Sequence, residues 1–186
     1  WITVPVVVVS FFARGYLARV IFSRDAPEIA AIFGFLTAAI FFRVIYSIVS
    51  RYFYAQKDTW TPLFVSIFAI GLNIYLAWTL SRPTNYGVAG LAMAQSIVAA
   101  SEVFILVAIM VYYDRKLFDR NFMTGLWKIA SVTGFSVLAA YMTVSMFPLQ
   151  SSDVGFLSLG AKLFYITTVV FSVHLGLSYL FGLEEA

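Results

Sequence analysis

Long stretches of this chain carry no charge, and their lengths are those of membrane spans. Between Asp58 and Arg82 lie 23 uncharged residues, between Arg82 and Glu102 lie 19, between Lys128 and Asp153 lie 24, and between Lys162 and Glu184 lie 21. An ionised side chain at mid-bilayer costs a few kcal/mol on insertion scales, so uncharged runs of about 20 residues mark helices that cross. Two earlier apolar runs, interrupted by Arg14 and by Arg43, are also long enough. The pattern predicts six helices, over residues 1–22, 29–52, 61–81, 86–112, 127–147 and 160–182, in a single membrane domain covering 1–186. Breakers fall between them at Asp25, Pro27, Pro62, Arg82-Pro83-Thr84-Asn85, and from Pro148 to Gly155. Runs such as VPVVVVSFFA and LFVSIFAIGL do not alternate apolar with polar residues, as the strands of a transmembrane barrel would. The expected fold class is therefore all-α: a polytopic membrane protein, a bundle of six transmembrane helices with short, antiparallel connections.

Composition supports this reading and removes several functions. The chain is 62% hydrophobic and only 11% charged, with a mean hydropathy of +0.92, whereas a soluble domain carries about 25% charged residues. The net charge of +3 comes from twelve basic residues spread along the chain, which form no basic patch, so no nucleic-acid partner is expected. With no cysteine and a single histidine there is no disulfide, thiolate metal site or cysteine nucleophile, and no histidine-rich metal centre. No cofactor and no metal site are expected. Clustered Asp, Glu or His for acid–base or metal catalysis are missing, so an integral membrane enzyme is disfavoured. The chain begins at Trp1 inside an apolar run, which reads as a piece of a longer protein.

Counting Lys and Arg orients the bundle. Arg51, Lys57, Arg115, Lys116, Arg120 and Lys128 follow the second and fourth helices, against Arg24, Arg82 and Lys162 after the first, third and fifth. Six against three places the even loops, and with them both ends of the chain, in the cytoplasm.

Polar residues inside the spans are the candidates for function. Arg43 shares a helical face with Tyr46, Ser47, Ser50 and Tyr54, at offsets of 3, 4, 7 and 11, which makes a polar stripe along the cytoplasmic half of the second helix. One reading is structural: Arg43 snorkels to the interface or pairs with a carboxylate such as Glu102. The other is substrate binding, because a planar guanidinium fork suits a phosphate headgroup. Arg14, on a face with Thr3 and Ser10, raises the same pair of readings. Asn73 and Gln95 are neutral amides that either lock two helices together or lend carbonyl oxygens to a cation such as sodium. His174, among apolar and hydroxyl neighbours in sequence, reads as a bundle histidine ahead of a proton relay. Gly87, Gly90 and Ala94 allow the fourth helix to approach a neighbour closely, while Trp60, Tyr112, Tyr113 and Trp127 are placed as interfacial anchors.

The segment RYFYAQKDTWTP resembles a loop of the MurJ (MviN) lipid II flippase family. The residues carrying the resemblance are Arg51, Phe53, Tyr54, Ala55, Asp58, Thr59, Thr61 and Pro62. LNIYLAW (Leu72 to Trp78) and YGVAGLAMAQSIVA (Tyr86 to Ala99) are similar to that family's following helix pair, and TVP with Arg19, Phe22 and Arg24 to an earlier helix. The matches run from Trp1 to about Tyr113; the last two spans match only in hydropathy and length. Arg14-Gly15-Tyr16 and Asp25-Ala26-Pro27 depart from the family pattern.

The resemblance implies the C-terminal six helices of a fourteen-helix transporter of the multidrug/oligosaccharidyl-lipid/polysaccharide exporter superfamily, its N-terminal half missing here. It further implies a multi-pass protein of the bacterial inner membrane that flips lipid II, or a related polyprenyl-pyrophosphate lipid, to the outer leaflet by alternating access for cell-wall synthesis. Sodium, a proton gradient or the membrane potential would drive it. The partners would be that lipid, the surrounding membrane lipid and the missing N-terminal half. The alternatives are a flippase for a polyprenyl-linked polysaccharide of O-antigen type, whose loop lacks the Asp58-to-Pro62 pattern, and a non-transporting membrane scaffold.

Overall fold

The computed structural model describes residues 2–22, 26–82, 86–114, 120–149, 153 and 156–182. Seven α-helices make up the described chain: α1 (Thr3–Phe12), α2 (Arg14–Ile21), α3 (Ala26–Ala55), α4 (Trp60–Leu80), α5 (Gly87–Tyr113), α6 (Arg120–Met146) and α7 (Phe156–Leu180). No strand occurs among the described residues. α3 to α7 are each long and apolar enough to cross a membrane, and α1 with α2 makes a sixth span if the bent pair is counted as one. The protein is an all-helical polytopic membrane bundle.

The first span departs from the pattern predicted for it. Instead of one helix over 1–22 there are two, bent by 69° about Ala13. Ala13 still donates to Val9 O at 2.8 Å but has left helical geometry, and it is fully buried. Arg14-Gly15 begins the second piece, and glycine next to a break is a common cause of a sharp kink. Elsewhere the prolines obey the helix rules. Pro5, Pro27 and Pro62 all fall in the first turn of a helix, where the missing N–H is not needed, and Pro148 follows the end of α6. α3 begins three residues earlier than the hydropathy pattern places it, and α6 begins at Arg120 rather than 127.

Contacts divide the chain into two compact units: Trp1–Phe33 with Asp119–Ala186, and Gly34–Phe118. In the first, α6 packs along α7, α1 lies on both, and α2 lies on α7. Its core holds Val8, Val9, Ala13, Tyr16, Ala140, Leu159, Ile166 and Val170. The Tyr16 hydroxyl donates to the carbonyl of Phe147, just past α6, satisfying a group that a helix C-terminus leaves open. Lys162 Nζ donates to Asp153 Oδ2 at 2.6 Å. Ser136 Oγ lies 2.9 Å from His174 Nδ1, both groups buried between α6 and α7.

In the second unit α4 and α5 form a tight helical hairpin. Gly87 opens α5 at φ +56, and Gly90 lies so close to the end of α4 that a Cβ there would stand 2.1 Å from the Leu80 carbonyl oxygen. Ala94, one turn on, is fully buried. The sequence expectation of close approach thus has a definite partner at Gly90, whereas at Gly87 a Cβ would meet nothing within 4 Å. Val49 and Phe53 of α3, Val65 of α4 and Leu106 of α5 form the core that joins the three helices. Only 11 to 33% of each apolar span window is buried. The rest of this apolar surface, with Trp60, Tyr112, Tyr113 and Trp127 exposed on it, needs an apolar solvent.

Candidate substrate groove

Arg43 stands in the middle of α3, with Ser47 one turn and Arg51 two turns further on, because offsets of 4 and 8 keep side chains on one helical face. These three, with Leu36, Ala39, Ile40, Val44 and Ile48 of α3 and Gln95 of α5, line an open groove of about 750 Å³. The lining is mostly apolar, and its polar groups are the two guanidinium groups, one hydroxyl and one amide. Arg43 Nη2 donates to Gln95 Oε1 at 3.5 Å, and Nη1 lies 3.9 Å from Glu102 Oε2. Gln95 and Glu102 are seven residues apart, hence on one face of α5. The two side chains of the ion pair differ sharply: Arg43 is 53% exposed and Glu102 only 7%. Ser96 Oγ donates to Phe35 O at 2.5 Å, fastening α5 to α3 beside the groove.

The polar stripe predicted on α3 divides. Arg43 and Ser47 face the groove. Tyr46 turns to α4, its hydroxyl 2.8 Å from Ser66 Oγ, and with Tyr54 lines a separate pocket of about 430 Å³ at the start of α4. Ser50 is buried, and its hydroxyl has no hydrogen-bond partner. A helical offset of 3 or 7 is angularly close to 4 but not identical with it. Two neighbouring helices therefore resolve one stripe into two faces. Arg51, which the charge count assigned to a loop, belongs instead to the groove wall within α3. An arginine repeated at i and i+8 with serine between was the signal that could have found it.

Gln95 and Asn73 do not line one site: Gln95 is on the groove with its oxygen toward Arg43, and half-buried Asn73 on α4 is not among the lining residues. Arg14 belongs to the first unit, its guanidinium 4.6 Å from the centre of the Phe11 ring. There it lines a pocket of about 390 Å³ with Phe12, Tyr16, Val144 and Leu149. No group of three or more His, Cys, Asp or Glu able to hold a metal ion is found among the described residues.

The RYFYAQKDTWTP segment is a helix stop followed by a helix start. Asp58 N–H donates to Phe53 O at 2.9 Å and Lys57 N–H to Tyr54 O at 3.0 Å, with Lys57 at φ 61. That is the left-handed C-terminal cap usually built on glycine. Asp58 then caps α4: Oδ1 accepts from the backbone N–H of Trp60 and Thr61 at 3.0 Å, and Oδ2 accepts from Thr61 Oγ1 at 2.6 Å. The Thr61 hydroxyl and the backbone amides, the hydroxyl most of all, hold the Asp58 carboxyl below its ordinary range. Pro62 is buried in the first turn of α4 and Phe53 is buried in the core, while Tyr54, Ala55 and Thr59 are exposed. Phe53, Asp58, Thr61 and Pro62 thus each have a local geometric task in ending α3 or starting α4.

No curated protein matches the chain. The sequence profile of a family described as "Lipid II flippase MurJ" matches residues 1–179. The match extends past Tyr113 through α6 and nearly all of α7, where hydropathy alone had shown a likeness. The chain belongs to the MurJ family of lipid II flippases, which are transporters and not enzymes.

Proposed function

We propose that the protein carrying this chain moves lipid II from the cytoplasmic to the outer leaflet of the bacterial inner membrane, and that the α3–α5 groove receives its anionic headgroup. The observation that carries the site is a pair of arginines, Arg43 and Arg51, on one mostly apolar groove in a chain matched to this family over 179 residues. A guanidinium binds phosphate through parallel N–H donors, and in an apolar wall it offsets part of the cost of stripping water from the pyrophosphate. The long apolar surfaces of the spans suit contact with lipid. Alternating access would then carry the headgroup across as one bundle rocks against another. With the even loops and both ends of the chain in the cytoplasm, an inside-negative potential assists outward movement by about 2.3 kcal/mol per charge per 100 mV. No bond is made or broken.

The test is complementation. The intact protein and its Arg43→Ala variant are expressed in bacteria depleted of their own lipid II flippase, and outer-leaflet lipid II is assayed. Wild type is expected to restore surface lipid II and growth. The variant, at equal membrane abundance, is expected to lose about 10- to 100-fold in transport at limiting substrate, the worth of one charge-assisted hydrogen-bond pair. Full activity of Arg43→Ala would remove the groove from the substrate path; failure of a well-inserted wild type would remove the substrate assignment.

A further inference from the structure

A buried carboxylate stands at the outer limit of ion-pair distance from an arginine of the groove. Glu102 lies near the middle of α5, almost wholly buried, and its Oε2 accepts no hydrogen bond while standing 3.9 Å from Arg43 Nη1. Few other ionisable groups surround it. From α3 the facing charge is Arg43, with Arg51 further along the same groove. The sole ionisable side chain of α4 is Tyr75, 60% exposed, and α5 itself has none besides Glu102 before Tyr112. Arg43 is thus the one cation within ion-pair distance of Glu102 among the described residues.

A phosphate entering the groove competes for that same guanidinium. A bidentate phosphate contact is short and charge-assisted, whereas the Glu102 pair is near the outer limit for an ion pair. Arg43, half exposed and also touching Gln95, has room to turn toward the groove. Glu102 would then be buried without a counter-charge, an arrangement costly enough that protonation replaces ionisation. Resting on the headgroup reading above, we infer that Glu102 is the internal counter-anion of the groove. It holds Arg43 while the groove is empty and takes up one proton when a phosphate draws Arg43 away, so that headgroup binding and proton uptake are coupled. The proton comes from water in the groove, forms the carboxyl O–H, and returns to water when the headgroup leaves and Arg43 pairs again. Glu102 touches no substrate; it is a positioning residue acting through Arg43.

The experiment uses the intact protein in detergent with purified lipid II as the probe, whose pyrophosphate diester has no proton titrating near neutral pH. In weakly buffered solution with an indicator dye, wild type is expected to take up about one proton per lipid bound. Its affinity is expected to rise as pH falls wherever that uptake occurs, by at most about tenfold per pH unit for one proton. Glu102→Gln is expected to abolish the uptake, flatten the pH profile, and bind at high pH at least as tightly as wild type. Binding by wild type without proton uptake overturns the inference and leaves the headgroup reading intact, and so does a Glu102→Gln variant that retains the uptake. Absence of lipid II binding at any pH overturns both. If Glu102→Gln fails to fold, the proton count on wild type still decides.

Discussion

Asp58 shows how much a single side chain can organise at a boundary between two helices. Its carboxylate satisfies two backbone N–H groups that a helix N-terminus leaves open and one hydroxyl, and its own N–H closes the preceding helix. Because these bonds favour the ionised form, the folded carboxyl titrates below the unfolded one. A depressed carboxylate contributes stability that is complete above its unfolded value and is lost as pH falls through the lower folded value. Hydrogen exchange at the Trp60 and Thr61 amides, corrected for its intrinsic pH dependence, is therefore expected to stay slow through mildly acidic pH and to rise only below the usual carboxylate range. In Asp58→Ala it is expected to be several-fold faster near neutral pH, with the difference shrinking once Asp58 protonates; equal rates in the two proteins near neutral pH would show that the cap does not hold α4. At this scale much was legible in sequence. The Asp58-to-Pro62 spacing was visible, but its role as a paired stop and start was not, because Lys57 occupies a left-handed position for which glycine is the usual sequence signal.

At the scale of elements, the α4–α5 hairpin depends on one missing methyl group. A Cβ at Gly90 would meet the Leu80 carbonyl at 2.1 Å and its carbon at 2.5 Å, both backbone atoms that no rotamer change can remove. Gly90→Ala is expected to destabilise the protein by about 1–3 kcal/mol, the usual range for overpacking, read as a lower unfolding temperature in detergent. Gly71→Ala, with nothing within 4 Å of the added methyl group, is expected to be neutral or stabilising by about 0.5–1 kcal/mol through helix propensity. Equal effects from both variants would mean that α4 and α5 separate without cost. The small-residue spacing made this contact readable in advance. The break at Ala13 was not, since an apolar run has the same hydropathy whether its helix is straight or bent.

At the scale of the whole molecule, the arrangement across the membrane can be checked directly, because the chain has no native cysteine to give background labelling. Single cysteines introduced by Lys57→Cys and Arg82→Cys in the intact protein, with any cysteine outside this chain replaced by serine, are expected to react with a membrane-impermeant thiol reagent from opposite sides, the first from the cytoplasm and the second from outside. Reversed labelling would invert the proposed orientation, and labelling of both from one side would remove α4 as a span. Within the second unit, the polar groups concentrate on the α3–α5 groove while the outward surfaces of α4 and α5 stay apolar. A lipid transporter needs that contrast, since charge is tolerated in a bilayer only where it meets protein, water or a charged ligand.

The five long spans, the membrane class and the family were legible in the sequence alone, because hydropathy over about 20 residues and turn chemistry over a dozen are local properties of the chain. Which polar side chains meet was decided by tertiary structure: the sequence offered Glu102 to Arg43 only as one alternative, and did not pair Ser136 with His174 at all. Arg43 and Glu102 are 59 positions apart and Ser136 and His174 are 38 apart, and pairing at such separations depends on how helices are rotated about their axes. Rotation is set by the packing of every face at once: by Gly90 against Leu80, by Phe53 and Leu106 in one core, and by Ile166 and Val170 in another. A helical stripe fixes which residues share a face of their own helix, whereas the neighbour that the face meets is a property of the packed bundle.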